Sequence, residues 1–306
     1  MKTKFLSALV ITVILLVSCS NEDNTPETND GHVKFSSGVS ANQTKVGGSD
    51  GNQWEGNEAI GIYMVETGDV LIAEDAENIK YTTTSTGAAA TFTSTTPIYY
   101  PVDATQKVDF IAYHPYSGSV SSYVYPINVA NQSNQSAIDL MRATANNSGS
   151  GYDKTQGVSY VNLAFDHKLT KVIINTTPDT DNGLTQADLA NMTVTINGLN
   201  TKANYNITTD LLSTPNTVAD ILTKSTTAGT LYEAIVVPQS FTAGAVTVEF
   251  ALNNVKSEVF VYEVPATTFA KAEKHTFNVT VQRTGVAVRG TINGWDPVGA
   301  VSGTAK

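Results

Sequence analysis

The sequence predicts an all-β protein built from β-sandwiches. Short segments that are apolar, or that alternate between apolar and polar residues, recur along the chain between Gly, Pro, Asn, Asp and Ser. Turn residues return about every 8 to 12 residues, which is typical of antiparallel sandwiches and not of a parallel α/β sheet. Few segments have the 3.6-residue period of a helix.

The first half contains both kinds of strand signal. Residues 59–65 form a mostly apolar run, and residues 108–113 form another that should end before Pro115, because proline has no N–H for a ladder. Shorter strands are predicted at 81–84, 89–93 and 98–100. At the start of this half, four residues alternate with polar neighbours: Val33, Phe35, Ser37 and Val39. The expected inward face of this strand consists of Val33, Phe35 and Val39.

The second half repeats this pattern. A short helix is predicted over 184–191, with Thr185 as a residue able to cap it. Pro238 and Pro265 each follow a strand and should end it. Strands are predicted at 161–165, 169–176, 192–196, 203–208, 231–237, 246–252, 258–264, 275–282 and 286–292.

The length of 306 residues indicates about two domains. Residues 143–157 are rich in Asn, Gly and Ser, so we interpret them as a loop at the boundary. The expected organisation is a signal peptide over 1–18, a tether over 19–30, an N-terminal β-sandwich domain over 31–157 and a C-terminal β-sandwich domain over 158–306. The tether should be disordered because it is polar and contains Pro26.

The N-terminus has the anatomy of a secretion signal. Lys2 and Lys4 precede an apolar run from Phe5 to Val17, which is too short for a membrane-spanning helix of about 20 residues. The run ends in Leu16-Val17-Ser18-Cys19, which resembles the lipobox of bacterial lipoproteins. That resemblance implies that the signal peptide is removed before Cys19, the only cysteine, and that Cys19 is then acylated.

The residues after Cys19 resemble an export signal. Ser20, Asn21, Glu22 and Asp23 are similar to the acidic sequence that sends Bacteroidetes lipoproteins to the outer face of the outer membrane. The alternative is an acidic linker with no such role. The resemblance implies a surface-exposed lipoprotein held by its acyl chains, since two or more chains bind a bilayer far more firmly than one.

The composition argues against nucleic acid as a partner. The chain has 18 Lys and Arg against 28 Asp and Glu, for a formal net charge of −10. Binding to nucleic acid depends on basic side chains that neutralise phosphates. With Cys19 acylated, the folded body would have no thiol, so its stability must come from its core.

Several segments together resemble the fimbrillins of Bacteroidetes. Residues 54–63 (WEGNEAIGIY), 99–101 (YYP) and 108–116 (VDFIAYHPY) are similar to segments of the first fimbrillin domain. Residues 163–172 (LAFDHKLTKV) are similar to the segment that opens the second domain, and 292–295 (INGW) to the closing strand. The order and spacing of these segments carry the resemblance, which covers nearly all of the mature chain.

The resemblance implies a fold and a function. Fimbrillins are subunits and accessory proteins of type V pili, built as two tandem transthyretin-like β-sandwich domains with Greek-key antiparallel sheets. It implies a stalk, anchor or tip subunit of a fimbria, with other pilus subunits as partners and a host or bacterial surface ligand for adhesion. A surface glycan-binding lipoprotein of a nutrient-uptake system remains the alternative.

The family's mode of assembly points to two segments. Stalk subunits lose an N-terminal strand to a protease, and a neighbour's C-terminal strand fills the groove. Residues 32–39 are the expected removable strand; because no arginine precedes Arg142, Lys45 is the expected basic cleavage site, unless the subunit is an uncleaved anchor. The expected donor strand has one face formed by Val286, Val288, Gly290 and Ile292.

No catalytic residues, cofactor or metal site are expected. The four histidines are not at metal-ligand spacing, and there is no nucleophile elbow, P-loop or dinucleotide fingerprint. Residues 179–183 begin like a calcium loop, but Gly183 and Ala190 occupy positions where a calcium loop needs ligands, so a turn is expected. His167 should form a hydrogen bond across the domain junction, with a titrating switch as the alternative.

The role of the two tryptophans has two interpretations. Trp54 and Trp295 should pack against the sandwich, although a pair of indoles could also stack on sugars.

Anchoring can be tested at Cys19. Cys19→Ala should abolish incorporation of a fatty-acid analogue and leave an uncleaved or soluble precursor, because the acylated thiol is gone. Ser20→Ala is the matched control and should label normally. Replacing Glu22 and Asp23 should leave a labelled protein that protease added to intact cells does not reach. Normal labelling of Cys19→Ala would contradict the anchor.

Overall fold

The computed structural model describes residues 30–37, 45–46, 52–156, 159–253, 257–283, 287–291 and 301–302. Within these ranges the protein is all-β, which confirms the predicted fold class. The described helices are one four-residue α-helix, α1 (Gln186–Leu189), and 3-10 turns at Asn147–Gly149, Lys154–Gln156 and Thr180–Asn182. Thr185 caps α1 in a capping box with Asp188, as the sequence predicted, and none of the described helices is long and apolar enough to cross a membrane.

The first half contributes twelve of the described strands. They are β1 (Lys34–Ser37), β2 (Lys45–Val46), β3 (Asn52–Glu55), β4 (Ala59–Glu66), β5 (Ile79–Thr82), β6 (Thr86–Gly87), β7 (Ala90–Phe92), β8 (Val108–His114), β9 (Val124–Asn128), β10 (Met141–Ala145), β11 (Tyr160–Asn162) and β12 (Asp166–His167).

Two sheets of the first half enclose a core. One sheet has the order β11-β1-β7, and the other has the order β12-β10-β8-β4-β5. Phe35 from the first sheet and Ile62 and Phe110 from the second belong to the same buried cluster. Strand β8 ends at His114, next to Pro115, as expected.

The second half contributes the other described strands. They are β13 (Thr170–Pro178), β14 (Thr193–Asn197), β15 (Asn200–Asn206), β16 (Leu211–Leu212), β17 (Asn216–Val218), β18 (Ile221–Leu222), β19 (Lys224–Thr227), β20 (Leu231–Val236), β21 (Gln239–Phe241), β22 (Thr247–Ala251), β23 (Val259–Glu263), β24 (Thr267–Phe269), β25 (Lys274–Val281), β26 (Ala287–Thr291) and β27 (Val301–Ser302).

A second core lies between two sheets of this half. A six-stranded sheet has the order β19-β20-β13-β25-β26-β27, and a four-stranded sheet has the order β18-β14-β22-β23. Strands β13 and β25 alternate buried with less buried residues, so each has one face on the core. They run parallel to each other, whereas the other neighbours in these two sheets are antiparallel.

A third apolar cluster joins the two halves. Strand β9 of the first half pairs with β15 of the second over five residue pairs, from Val124↔Asn206 to Asn128↔Lys202. The cluster beneath this ladder combines Tyr63, Ile111 and Tyr113 of the first half with Tyr205 and Ile235 of the second. Strands β4 and β8 are therefore buried on both faces, which explains why they are apolar almost throughout.

Polar contacts also connect the two halves at this junction, which consists of the β9 and β15 ladder and the apolar cluster beneath it. The side-chain oxygen of Gln132 accepts from the Ile235 N–H at 2.8 Å, and its amide nitrogen donates to the Ile235 carbonyl at 2.9 Å. The Arg142 guanidinium donates to the carbonyl oxygens of Ile207 and Thr208. These bonds satisfy backbone groups of the second half with side chains of the first.

The structure differs from two sequence expectations. Strand β10 occupies Met141–Ala145, the start of the segment interpreted as a loop over 143–157, and β9 was not predicted. Strands β11 and β12 pair with β1 and β10, and Val161, Leu163 and Phe165 lie in the first core. Residues 160–167 therefore pack with the first half, although the division was expected between residues 157 and 158.

Two histidines flank a buried aspartate at one end of the first core. His167 Nδ1 lies 2.7 Å from a carboxylate oxygen of Asp139, and His114 Nδ1 lies 3.3 Å from the Asp139 carbonyl oxygen. His167 therefore forms a structural hydrogen bond, but it forms it within the first half and not across the junction where it was expected, because β12 pairs with β10. Burial lowers the pKa of His114 to about 4, and the Asp139 carboxylate opposes this shift only in part.

The junction predicts the effect of removing Gln132. Gln132→Ala leaves the N–H and carbonyl of Ile235 without their side-chain partner in a buried site, so it should lower the free energy of unfolding by roughly 2 to 4 kcal/mol. Urea unfolding followed by tryptophan fluorescence measures this. Asn204→Ala, an exposed amide on the same junction sheet, is the control and should change stability little. Equal stability of the two variants would contradict the role of Gln132.

The buried His114 predicts a loss of stability in acid. Its folded pKa of about 4 lies below the unfolded value, so neutral His114 stabilises the fold above about pH 6.5 and this contribution is lost as the pH falls towards 4. The loss should reach about 3 kcal/mol. We compare the free energy of unfolding of His114→Gln with that of the unmodified protein from pH 8 to 4. Below pH 6.5 the value for the variant should fall less steeply than that of the unmodified protein, and above pH 7 the two curves should be parallel. Parallel curves over the whole range would contradict this assignment.

Candidate assembly site

Strand β1 lies at the centre of its sheet and is bonded along both edges. It pairs in parallel with β11 and antiparallel with β7, with Phe35 opposite Val161 on one side and opposite Phe92 on the other. Just before the strand, the Val33 N–H donates to the Ile98 carbonyl at 2.9 Å, and near its end the Ser36 carbonyl accepts from the Leu163 N–H at 2.7 Å. Without β1, both neighbours would have unpaired backbone edges.

The inward side chains of this segment are buried. Val33 and Phe35 are fully enclosed, as the alternation predicted, and Val39 lies outside the described residues. Phe35 meets the rings of Tyr81 and Phe110 edge to face, with centroids 5.1 and 5.0 Å away. The Tyr81 hydroxyl oxygen also accepts from the Ile98 N–H at 2.7 Å, so the ring that contacts Phe35 is itself held in place.

Ser37 bonds the buried indole of Trp54. The Trp54 Nε1–H donates to the Ser37 hydroxyl at 2.8 Å, and both residues are 1% exposed. The indole packs nearly perpendicular to Phe92, His114 and Phe165, at centroid distances of 5.3 to 5.7 Å. The expected packing role of Trp54 is confirmed, whereas Trp295 lies outside the described residues.

Strand β26 is paired within the second half of the chain. It runs antiparallel to β25, and its register places Val288 opposite Val279 and Gly290 opposite Phe277, both of which are buried. The sequence did not predict β27, which pairs with the outer edge of β26. Val286 and Ile292, the outer members of the expected donor face, lie outside the described residues.

The other expected assembly residues lie towards the N-terminus. Lys45 begins the two-residue strand β2, which pairs in parallel with β3, the strand that contains Trp54. Cys19, Ser20, Asn21, Glu22 and Asp23 lie outside the described residues.

Among the described residues, no group of three or more His, Cys, Asp or Glu residues could hold a metal ion. The segment that begins like a calcium loop is a turn, in which the Asp179 carboxylate accepts from the Asp181 N–H and Gly183 has φ 75°.

The comparisons with known proteins agree with this architecture. A family model described as fimbrillin-like matches residues 44–295. A protein named "Putative fimbrium subunit Fim1C" from Bacteroides uniformis is 35% identical over 309 residues, which cover 97% of this chain and 96% of that protein.

Two solved structures have the same fold. A Bacteroides uniformis structure described as a "putative cell adhesion protein" has a TM-score of 0.70 at 32% identity, covering 87% of this chain and 98% of that chain. A Bacteroides ovatus structure with the same description has a TM-score of 0.60 at 21% identity, covering 78% and 86%. Because the family model and the relative at 35% identity each cover most of its length, this chain belongs to the fimbrillin-like family of fimbrial subunits.

Proposed function

We propose that this chain is a structural subunit of a cell-surface fimbria that joins its neighbours by exchanging β-strands. The observation that carries the proposal is the position of β1, a short strand bonded at both edges whose inward side chains complete a core. Removing such a strand would open a groove with unpaired backbone on both sides. An incoming strand would gain affinity from that backbone and specificity from its alternate side chains.

The proposed architecture is two tandem transthyretin-like β-sandwiches with Greek-key connections. It is supported by two separate apolar cores, one in each half, and by the predominance of antiparallel pairs. The proposed role is structural and not enzymatic, since the two relatives are described as fimbrial and adhesion proteins.

The proposed anchor is the acylated Cys19. Ser20, Asn21, Glu22 and Asp23 would direct the lipoprotein to the outer face of the outer membrane, and residues 19–30 would tether the folded part to it. The partners are then other pilus subunits and the membrane, with a host or bacterial surface ligand reached through the assembled fibre.

Two versions of the N-terminal step are compatible with the position of Lys45. In a stalk subunit, cleavage after Lys45 would separate the segment that contains β1 from the rest of the chain, which contains β3 and all later strands. Strand β2 would have to separate from β3 before a protease could bind the site. In an anchor subunit, the chain would stay uncut and β1 would remain in place. The N-terminus of the protein in assembled material distinguishes them.

The proposed donor is the strand of Val286, Val288, Gly290 and Ile292. In this structure β26 lies between β25 and β27 in its own sheet, so donation to a neighbour would require β26 to leave both strands. No observation favours glycan binding through Trp54, because its ring is buried against Phe92, His114 and Phe165.

The donor role can be tested with Val288→Asp. In sheared surface material, the unmodified protein should run as high-mass ladders that survive mild heating in detergent. Val288→Asp should abolish the ladders while the monomer keeps its thermal midpoint within a few degrees, because the apolar face is needed only in a neighbour's groove. Ala287→Asp, one position along the same strand, is the matched control and should retain the ladders.

The opposite result would place the strand in its own core. If Val288→Asp lowers the melting temperature of the monomer and leaves the ladders intact, the donor assignment is wrong.

A further inference from the structure

The groove occupied by β1 makes two demands on the strand that fills it, one at each of two neighbouring inward-facing positions. Phe35 fills a pocket between aromatic edges, and Ser37, two residues later on the same face, accepts a buried hydrogen bond. Both positions are nearly inaccessible to solvent. A strand that replaces β1 must satisfy both at once.

The Phe35 position calls for an aromatic ring. Its two neighbours, Tyr81 and Phe110, each meet the Phe35 ring edge to face at 81° and 83°. Phe110 and Tyr81 are held by the rest of the core, so they cannot close over a smaller residue without repacking. A valine or glycine here would leave an unfilled volume.

The Ser37 position calls for a small hydroxyl. The Trp54 N–H is buried, and the Ser37 oxygen is its acceptor. Glycine offers no side-chain acceptor, and a branched aliphatic residue would cover the N–H without bonding it. A buried donor without a partner is costly.

The chain's own donor strand meets neither demand. Its apolar face consists of Val286, Val288, Gly290 and Ile292, so in any register and in either direction it brings neither an aromatic ring nor a hydroxyl. Turning the other face inward would supply Thr291 but would bury Arg289 in an apolar core.

We infer that the β1 groove is built for a strand of a different subunit, one that carries an aromatic residue and, two positions later in the direction of β1, a Ser or Thr. A second copy of this chain is then not the partner that fills it. This inference rests on the strand exchange proposed above and adds which class of partner the groove accepts.

The first test places the donor's residues in the groove of the intact chain. The full-length double variant Phe35→Val, Ser37→Gly carries the residues that the donor would bring if Val288 took the place of Phe35. Its thermal midpoint should fall by about 10 °C or more, since it combines a core cavity with an orphaned N–H. Ser37→Thr should keep most of the stability because it retains the hydroxyl.

The matched control changes the outward positions of the same strand. Lys34→Ala, Ser36→Arg installs the donor's residues on the less buried face and should shift the midpoint by only a few degrees. If the Phe35→Val, Ser37→Gly variant melts within a few degrees of this control, the groove does not discriminate. The inference is then wrong, although strand exchange would still stand.

The second test allows exchange in trans and does not depend on a folded double variant. A site for a sequence-specific protease is inserted between residues 40 and 43 of the full-length protein, which is cut after folding. Labelled peptides are then added in excess: residues 32–40, the same peptide with Phe35→Val and Ser37→Gly, and residues 285–293. The 32–40 peptide should enter, and the other two should bind at least about tenfold more weakly.

The outcomes separate the inference from the function it rests on. Equal entry of the 285–293 peptide would overturn the inference and make the chain its own partner. Failure of even the 32–40 peptide to enter would overturn strand exchange, and the inference with it.

Discussion

The fold depends on covering both faces of the β4 and β8 pair. One face packs on β1 and its sheet, and the other lies under the ladder of β9 and β15. The pair is so closely packed that a Cβ at Gly61 would overlap the Tyr113 ring. An apolar sheet with two buried faces needs a third layer, and the second half of the chain supplies it.

This requirement explains what the sequence could and could not predict. Strands were predicted where β13, β15 and β25 lie, each of which has one buried face, and long apolar runs identified β4 and β8. Strand β9 was missed because it contains Pro126 and its alternation is weak. It tolerates the proline because β15 is its only partner among the described strands, so the other edge of β9 needs no N–H donor. This segment becomes a strand only because a distant partner lies beside it.

The candidate site was predictable in part. The alternation predicted a strand with Val33 and Phe35 on its inward face, and the structure confirms both, whereas the burial of Ser37 on the same face was not predicted. The demands of the groove were not visible, because the bond from Trp54 to Ser37 joins residues 17 apart through a core that no local pattern specifies. The pairing of residues 160–167 with the first half was hidden for the same reason: their apolar spacing fits either sandwich, and tertiary contacts decide between them.

The junction has a mechanical consequence. On the proposed assembly, tension along a fibre would enter each subunit at the groove in its first half and leave through β26 in its second. The force would cross between halves through the β9 and β15 ladder, the shared apolar cluster and the bonds from Gln132 and Arg142. A flexible linker would let the halves swing apart under a small pull. Here they would bear the load as one body, so a stretched fibre would lengthen by breaking this ladder or unfolding a sandwich, and not by straightening hinges.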